Sequence, residues 1–135
     1  MVGILIAGHG RFASGMVSSL QVITGATKNV EAVDFEGDHS KTLLKENLNK
    51  AMDSLKECDG ILVLTDLTGA TPYTSVIECK LSRPNQNIDV VAGTNLPMLI
   101  EAVSLMQFYE DPVELGKEVI EVGKEYIVQF GIDKE

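Results

Sequence analysis

"ILIAGHGRFASG", residues 4–15, decides how the fold begins and where its function is to be sought. The apolar run over residues 2–7 is typical of a strand covered on both faces, as in a parallel sheet. It ends in Gly8-His9-Gly10 and passes into a stretch of Ala, Ser and Gly that can open a helix. A histidine between two glycines at a strand end is either a displayed reactive group or an incidental member of a nucleotide-binding loop.

Outward from this stretch, strand and helix patterns alternate along the chain. Ser40 suits a helix N-cap, and a proline follows three of the other predicted helix starts. Such alternation predicts a single α/β domain over residues 1–135, with a mostly parallel sheet of right-handed βαβ units and helices on both faces. Further strands are predicted at 30–35, 60–65, 88–92 and 125–130, and helices at 12–24, 41–57, from Thr71, from Asn95 to about 108 and from Asp111.

Composition excludes several classes of protein. Twenty acidic residues against 11 basic ones give a net charge of −9, which argues against a nucleic-acid partner. No apolar run is long enough to cross a bilayer, and the N-terminus lacks the pattern of a secretory signal. The two cysteines form no CxxC motif and are expected to be reduced thiols. We therefore expect a cytoplasmic protein.

Polar residues follow three of the predicted strands, at the edge where ligands bind in open parallel sheets. They are Gly8-His9-Gly10, the segment from Thr65 to Gly69, and Gly93-Thr94-Asn95. If the strand order is 2-1-3-4, the first and third strands are neighbours. His9 and Asp66 then face each other across the crevice.

A nucleotide-binding module is one interpretation of these residues. The run from Gly8 through Gly10 to Ala13 matches a G-x-G-x-x-A pattern, and Asp34 lies near the place of a ribose-binding acid. Short glycine patterns recur by chance, and a chain of 135 residues leaves little room for a separate substrate domain. This match is therefore weak.

Phosphoryl transfer through a histidine is the second interpretation. An Asp66 carboxylate that accepts from Nδ1–H of His9 leaves Nε2 free to attack phosphorus and stabilises the developing imidazolium. Backbone N–H groups after Gly10, at a helix N-terminus, can receive phosphoryl oxygens. The same residues also fit an alternative without a function, in which His9 is a partly exposed loop histidine and Asp66 is a turn residue.

A second group of donors is predicted at the start of the third helix, where Thr68, Gly69 and Thr71 precede Pro72. Arg11 either approaches the phosphoryl group or is simply solvated. The sequence has no P-loop and no cluster of metal ligands, so we expect neither a metal ion nor a cofactor. His39, beside the predicted cap, is expected to be a solvent-exposed turn residue without a role.

Four segments in order carry a resemblance to a known family: GHGRFASG, VDFEGD, GILVLTDLTGATP and VVAGTNLPMLIEA. Essentially end to end, the chain is similar to the mannose-family enzyme IIA domain of the bacterial phosphoenolpyruvate-dependent sugar phosphotransferase system. The resemblance implies that His9 is phosphorylated, that Asp66 is its hydrogen-bond partner, and that the loop 68–71 contacts the phosphoryl group. Ala70 and Thr74 depart from the family pattern, which often has a second glycine and an asparagine there.

The resemblance further implies a phosphocarrier. Such a protein accepts a phosphoryl group from the histidine-containing phosphocarrier protein, passes it to the enzyme IIB component, and is thereby peripherally associated with a membrane sugar permease complex. A phosphotransferase subunit of a dihydroxyacetone kinase and a purely regulatory binder are alternatives. The sequence does not indicate which sugar is transported, because a component that passes the phosphoryl group to another protein forms no sugar-binding pocket.

The predicted last strand bears on the oligomeric state. A sheet of four parallel strands leaves exposed edges, which proteins usually pair or cover. The segment 125–130 either joins the sheet of its own chain or is exchanged with a second chain. The family resemblance favours exchange in a homodimer, with this strand antiparallel to its new neighbours.

Overall fold

A computed structural model describes residues 1–131 as one α/β domain with a four-stranded parallel sheet in the order β2-β1-β3-β4. The predicted order 2-1-3-4 is therefore confirmed. Five α-helices connect and follow the strands within the described part of the chain. The elements are β1 (Val2–His9), α1 (Phe12–Ile23), β2 (Val30–Phe35), α2 (Lys41–Ser54), β3 (Gly60–Thr65), α3 (Thr71–Leu81), β4 (Ile88–Val91), α4 (Leu96–Leu105) and α5 (Pro112–Glu125).

The central strand β1 explains the continuous apolar run of the sequence. It pairs in parallel with β2 on one side and β3 on the other, and helices cover both of its faces. Side chains of α1, α4 and α5 pack on one face, and those of α2 and α3 on the other. Every residue of β1 through Gly8 is buried and His9 is exposed, so the strand delivers its last side chain to the surface.

Helix starts follow the predicted capping signals. The Ser40 hydroxyl accepts from the Leu43 N–H at 3.0 Å at the start of α2. The Asn95 side chain accepts from the Met98 N–H at 3.1 Å at the start of α4. Asp111 caps α5 in the same way, and prolines occupy the first turns of α3, α4 and α5. These caps satisfy N–H groups that a helix leaves without an internal acceptor.

Some element ends differ from the predictions. Helix α2 ends at Ser54 rather than at residue 57, because turns over residues 55–59 lead the chain into β3. Helix α4 ends at Leu105 and is followed by a 3₁₀ turn over Met106–Phe108. None of the helices in the described part of the chain combines the length and apolarity that a bilayer crossing requires.

The predicted strand at 125–130 is not formed within the single chain. Helix α5 instead continues through Glu125, and residues 126–131 follow it as turns and irregular backbone. Near the end of this helix Gly123 packs against Met98, where an added Cβ would come within 2.4 Å of Cγ. The apolar side chains beyond the helix are exposed: Tyr126, Ile127, Val128 and Phe130.

Candidate active site

His9 and Asp66 meet at the carboxyl edge of the sheet. β1 ends at His9 and β3 at Thr65, so parallel pairing of the two strands brings residue 66 beside residue 9. His9 Nδ1 lies 2.8 Å from Asp66 Oδ2, and the His9 backbone N–H donates to the same oxygen at 2.8 Å. A carboxylate only accepts hydrogen bonds, so in the neutral ring Nδ1 carries the proton and Nε2 has the lone pair.

The Asp66 carboxylate is held in its charged form. Partial burial alone raises the pKa of Asp66, but hydrogen bonds from the His9 N–H, the His9 imidazole and the Leu67 N–H more than offset it and lower that pKa below its usual value. The Asp66 side chain is 13% exposed, whereas that of His9 is 44% exposed. A fixed negative charge therefore supports an imidazole that a partner molecule can reach.

Gly8 permits this close approach. A Cβ at position 8 would lie 2.6 Å from Phe12 Cδ2 and 3.0 Å from Asp66 Cγ. Any other residue would therefore push the phenyl ring or the carboxylate away from the strand. On the other side, the Phe35 ring lies 6.2 Å from the His9 ring, centroid to centroid, in a tilted arrangement. The imidazole is thus positioned between an aromatic ring and a carboxylate.

Gly10 turns the chain from β1 into α1 through a positive φ of 58°. Its N–H donates to the Phe35 carbonyl at 2.7 Å, so in this structure that amide is already engaged. Phe12 and Ala13 open α1, and their N–H groups have no acceptor inside the helix. These amides are the remaining backbone donors of the first turn.

Asp34 occupies the N-terminus of α1. Its carboxylate accepts from the Ser14 N–H at 2.9 Å and from the Ser14 hydroxyl at 2.6 Å. A ribose-binding acid of a dinucleotide-binding fold would present its carboxylate to the ligand, whereas both Asp34 oxygens here accept from Ser14. The structure therefore does not favour the nucleotide-binding interpretation of the glycine pattern.

The loop after β3 follows Asp66 into α3. Thr68 and Gly69 are exposed, Thr71 is partly buried, and Gly69 adopts a positive φ of 77°. The loop after β4 is tied to the same edge, because the Gly93 N–H donates to the Asp66 carbonyl at 3.1 Å. All three polar strand ends predicted from the sequence thus meet at one edge of the sheet.

Arg11 lies beside the histidine but is paired. Its Nε is 3.2 Å from Oε1 of Glu36, and its side chain is 79% exposed. Phe35, whose ring lies beside that of His9, and Glu36, which pairs with Arg11, were not predicted as parts of the site. The parallel register, in which residue 35 pairs with residue 9, is the signal that could have identified them.

His39 forms a turn of its own, away from the pair at the strand ends. Its Nδ1 accepts from the Glu36 N–H at 3.2 Å, and its backbone N–H donates to the Glu36 carbonyl at 3.0 Å. The expected turn is present, but the ring is 22% exposed rather than fully solvated, because it folds back onto that turn. Among residues 1–131, no group of His, Cys, Asp and Glu is arranged to hold a metal ion.

Comparisons with a family model and with known sequences point to the same family. The model of a family described as "PTS system fructose IIA component" matches residues 3–114. The fructose-specific EIIA component of Bacillus subtilis is 33% identical over 107 residues, which cover 79% of this chain and 72% of that protein. The mannose-specific EIIAB component of Escherichia coli K12 is 31% identical over 127 residues, which cover 92% of this chain but 38% of that longer protein.

Solved structures agree with the sequence comparison. Phosphotransferase system component EIIA from Streptococcus agalactiae superposes with a TM-score of 0.88 at 34% identity, over 96% of this chain and 98% of that one. The mannose/sorbose-specific IIA subunit from Enterococcus faecalis has a TM-score of 0.78 at 27% identity, over 98% of this chain and 97% of that one. The likeness covers nearly the whole domain.

Proposed function

Because this chain belongs to the family of phosphotransferase-system (PTS) fructose IIA components, of the mannose type, we propose that it carries a phosphoryl group on His9. PTS EIIA components are phosphotransferases, and they work with phosphocarrier proteins and further EII components. The observation that carries the proposal is the 2.8 Å contact between His9 Nδ1 and Asp66 Oδ2, which in the neutral ring leaves the Nε2 lone pair free on a side chain that is 44% exposed.

In the proposed step, the lone pair of His9 Nε2 attacks the phosphorus of a donor phosphohistidine. A new N–P bond forms as the donor's N–P bond breaks, and the donor imidazole leaves with that electron pair. The proton stays on Nδ1, so the phosphorylated ring becomes cationic and the Asp66 carboxylate stabilises it. Transfer onward to a nucleophile on the acceptor protein repeats the same exchange, and no metal ion or cofactor enters it.

Backbone and side-chain donors around His9 are proposed to hold the phosphoryl oxygens. They come from the start of α1, after Gly10, and from the loop that leads into α3, and Arg11 supplies a cation beside them. Exposure of Thr68 and Gly69 next to the Asp66 carboxylate supports this assignment. The donor groups of that loop are Thr68, Gly69 and Thr71.

The donor is proposed to be the histidine-containing phosphocarrier protein, and the acceptor an enzyme IIB component that serves a membrane sugar permease. Residues 1–135 would act as one cytoplasmic IIA domain that associates with the membrane complex through IIB. The reported relatives are named for PTS components, and this supports sugar transport over the dihydroxyacetone kinase alternative. We also propose a homodimer in which the segment 125–130 is exchanged as an antiparallel strand.

Phosphorylation of two histidine variants tests the proposal. Incubation with phosphoenolpyruvate, enzyme I and the phosphocarrier protein should give an acid-labile, base-stable phosphate label. His9→Ala should abolish the label because the nucleophile is gone. His39→Ala is the matched control and should keep it, since that ring is engaged in its own turn. Label that persists in His9→Ala contradicts the assignment.

A further inference from the structure

The pairing of Arg11 with Glu36 is a second feature of the site, which the proposed transfer step does not use. Arg11 follows His9 by two residues, and Glu36 follows Phe35, whose ring lies against the His9 ring. The hydrogen bond from the Gly10 N–H to the Phe35 carbonyl fastens the two segments together. The backbone at both residues of the ion pair is therefore held close to that of His9.

Negative charge dominates this edge of the sheet. The carboxylates of Asp34, Glu36 and Asp66 are grouped around the first turn of α1 and the histidine. A phosphoryl group adds roughly −1.5 to −2 charges in the same space. Arg11 follows His9 by two residues and brings a cation to this edge, and its guanidinium is paired with Glu36 through Nε alone.

Two acceptors thus compete for one guanidinium. Arginine binds phosphate oxygens through a bidentate fork, which is stronger than the single Nε contact with Glu36. The pair is easily exchanged, because Arg11 is 79% and Glu36 is 39% exposed and exposed ion pairs are weak. An arriving phosphoryl group can therefore take Arg11 from Glu36 at small cost.

We propose that Glu36 is a positioning residue that competes with the phosphoryl group for Arg11 and so limits how strongly phosphorylated His9 is stabilised. This inference rests on the proposed function. A guanidinium without a competing partner would bind the phosphoryl group more tightly and retard its onward transfer. Glu36 keeps the phosphohistidine close in energy to that of the donor, as transfer through a chain of carriers requires.

The equilibrium constant for phosphoryl exchange with the donor phosphocarrier protein tests this competition. Glu36→Gln should shift the equilibrium about two- to fivefold toward phosphorylated His9, a range set by the strength of exposed ion pairs. Arg11→Gln should shift it in the opposite direction. In the Arg11→Gln background, the added Glu36→Gln change should have no further effect. By nuclear magnetic resonance, the Arg11 Nε–H signal should move on phosphorylation of the unaltered protein.

Glu78→Gln is the matched control. Glu78 is an exposed carboxylate that pairs with Lys41 and Lys45 between α2 and α3, and its loss changes the net charge equally. It should leave the equilibrium unchanged. If Glu36→Gln shifts the equilibrium equally in the Arg11→Gln background, Glu36 repels the phosphoryl group directly. If Glu36→Gln has no effect in the unaltered background, Glu36 has no role in the equilibrium. Either result overturns the proposed competition.

Failure of the underlying function is distinguishable from failure of the competition. If the unaltered protein takes no label on His9, both proposals fall together. If it is labelled on His9 while Glu36→Gln behaves as Glu78→Gln does, only the role of Glu36 is refuted. Thermal unfolding of each variant, expected within a few degrees of the unaltered protein because the replaced side chains are exposed, separates either outcome from misfolding.

Discussion

At the scale of single residues, the chemistry depends on how Asp66 uses its two oxygens. Oδ2 accepts both donors of His9 and Oδ1 accepts the Leu67 N–H. Asp66→Asn keeps the size, but it removes the charge and sets an NH₂ group against one of these donors. We expect phosphoryl transfer to slow by roughly tens- to thousands-fold, measured as the rate of label transfer. The free energy of unfolding should fall by about 1–2 kcal/mol because a donor loses its acceptor.

The pH dependence of this stability difference follows from the lowered pKa of Asp66. A carboxyl group whose pKa is lower in the folded than in the unfolded chain stabilises the fold above its unfolded pKa of about 3.9. That contribution is lost as the pH falls through the folded pKa. Urea unfolding should therefore give the full difference between the unaltered protein and Asp66→Asn at pH 5, and a shrinking one below about pH 4. A difference that grew in acid would contradict this assignment.

Gly8 is the second residue whose replacement is informative. In Gly8→Ala, the methyl group would lie 2.6 Å from the Phe12 ring, closer than real Cβ contacts, and a tight 3.0 Å from the Asp66 carboxylate. We expect a loss of about 1–3 kcal/mol in stability and slower phosphoryl transfer, since the carboxylate must move. Gly15→Ala is the control: the site is open and helical, and stability should rise by about 0.5–1 kcal/mol. Equal behaviour of the two variants would refute this role of Gly8.

At the scale of elements, the start of α1 depends on a carboxylate from the neighbouring strand. Asp34 of β2 accepts both donors of Ser14, where a side chain of the helix itself would usually act as the cap. Asp34→Ala should lower the free energy of unfolding by about 1–2 kcal/mol, measured in urea at low salt. Asp38→Ala, at a side chain that is 90% exposed, should cost almost nothing. Equal losses in both variants would show that the cap contributes nothing.

The elements differ in how far local sequence predicts them. β3 has the predicted bounds because it is a fully buried, mostly apolar run, and β2, in which only Val33 is buried, has them because turn residues precede and follow it. The meeting of His9 and Asp66 could be predicted as well, since parallel strand order determines which ends are adjacent. The pairing of Arg11 with Glu36 and the capping by Asp34 could not, because they depend on the register and on side-chain reach. The segment 125–130 has a strand-like pattern, but a strand requires a partner, which local sequence does not specify.

At the scale of the whole molecule, the exposed apolar segment after α5 predicts self-association. Ile127 and Val128 are 71% and 64% exposed, and Phe130 is fully exposed. Exchange of this segment between two chains would bury these side chains and cover sheet edges. Light scattering at micromolar concentration should therefore give the mass of a dimer for the full chain and of a monomer for a chain that ends at Tyr126.

Two details make this comparison decisive. A cut after Tyr126 keeps α5 whole, including Gly123, which packs against Met98. Leu81→Asp is the control, because Leu81 is 74% exposed at the end of α3, whose side chains cover the opposite face of the sheet from α5. It should remain a dimer. A full-length monomer would refute the association, and a dimeric shortened chain would place the interface elsewhere.

The strand order β2-β1-β3-β4 has a consequence for how the molecule folds. His9 and Asp66 lie 57 positions apart in the chain, and they meet only when β3 docks on β1. Parallel pairings of this kind have high contact order and slow the folding of a domain. Synthesis likewise completes the histidine long before its carboxylate. The pair of His9 and Asp66 therefore forms only with this long-range pairing, and a chain in which β3 has not docked lacks the carboxylate on which the proposed transfer depends.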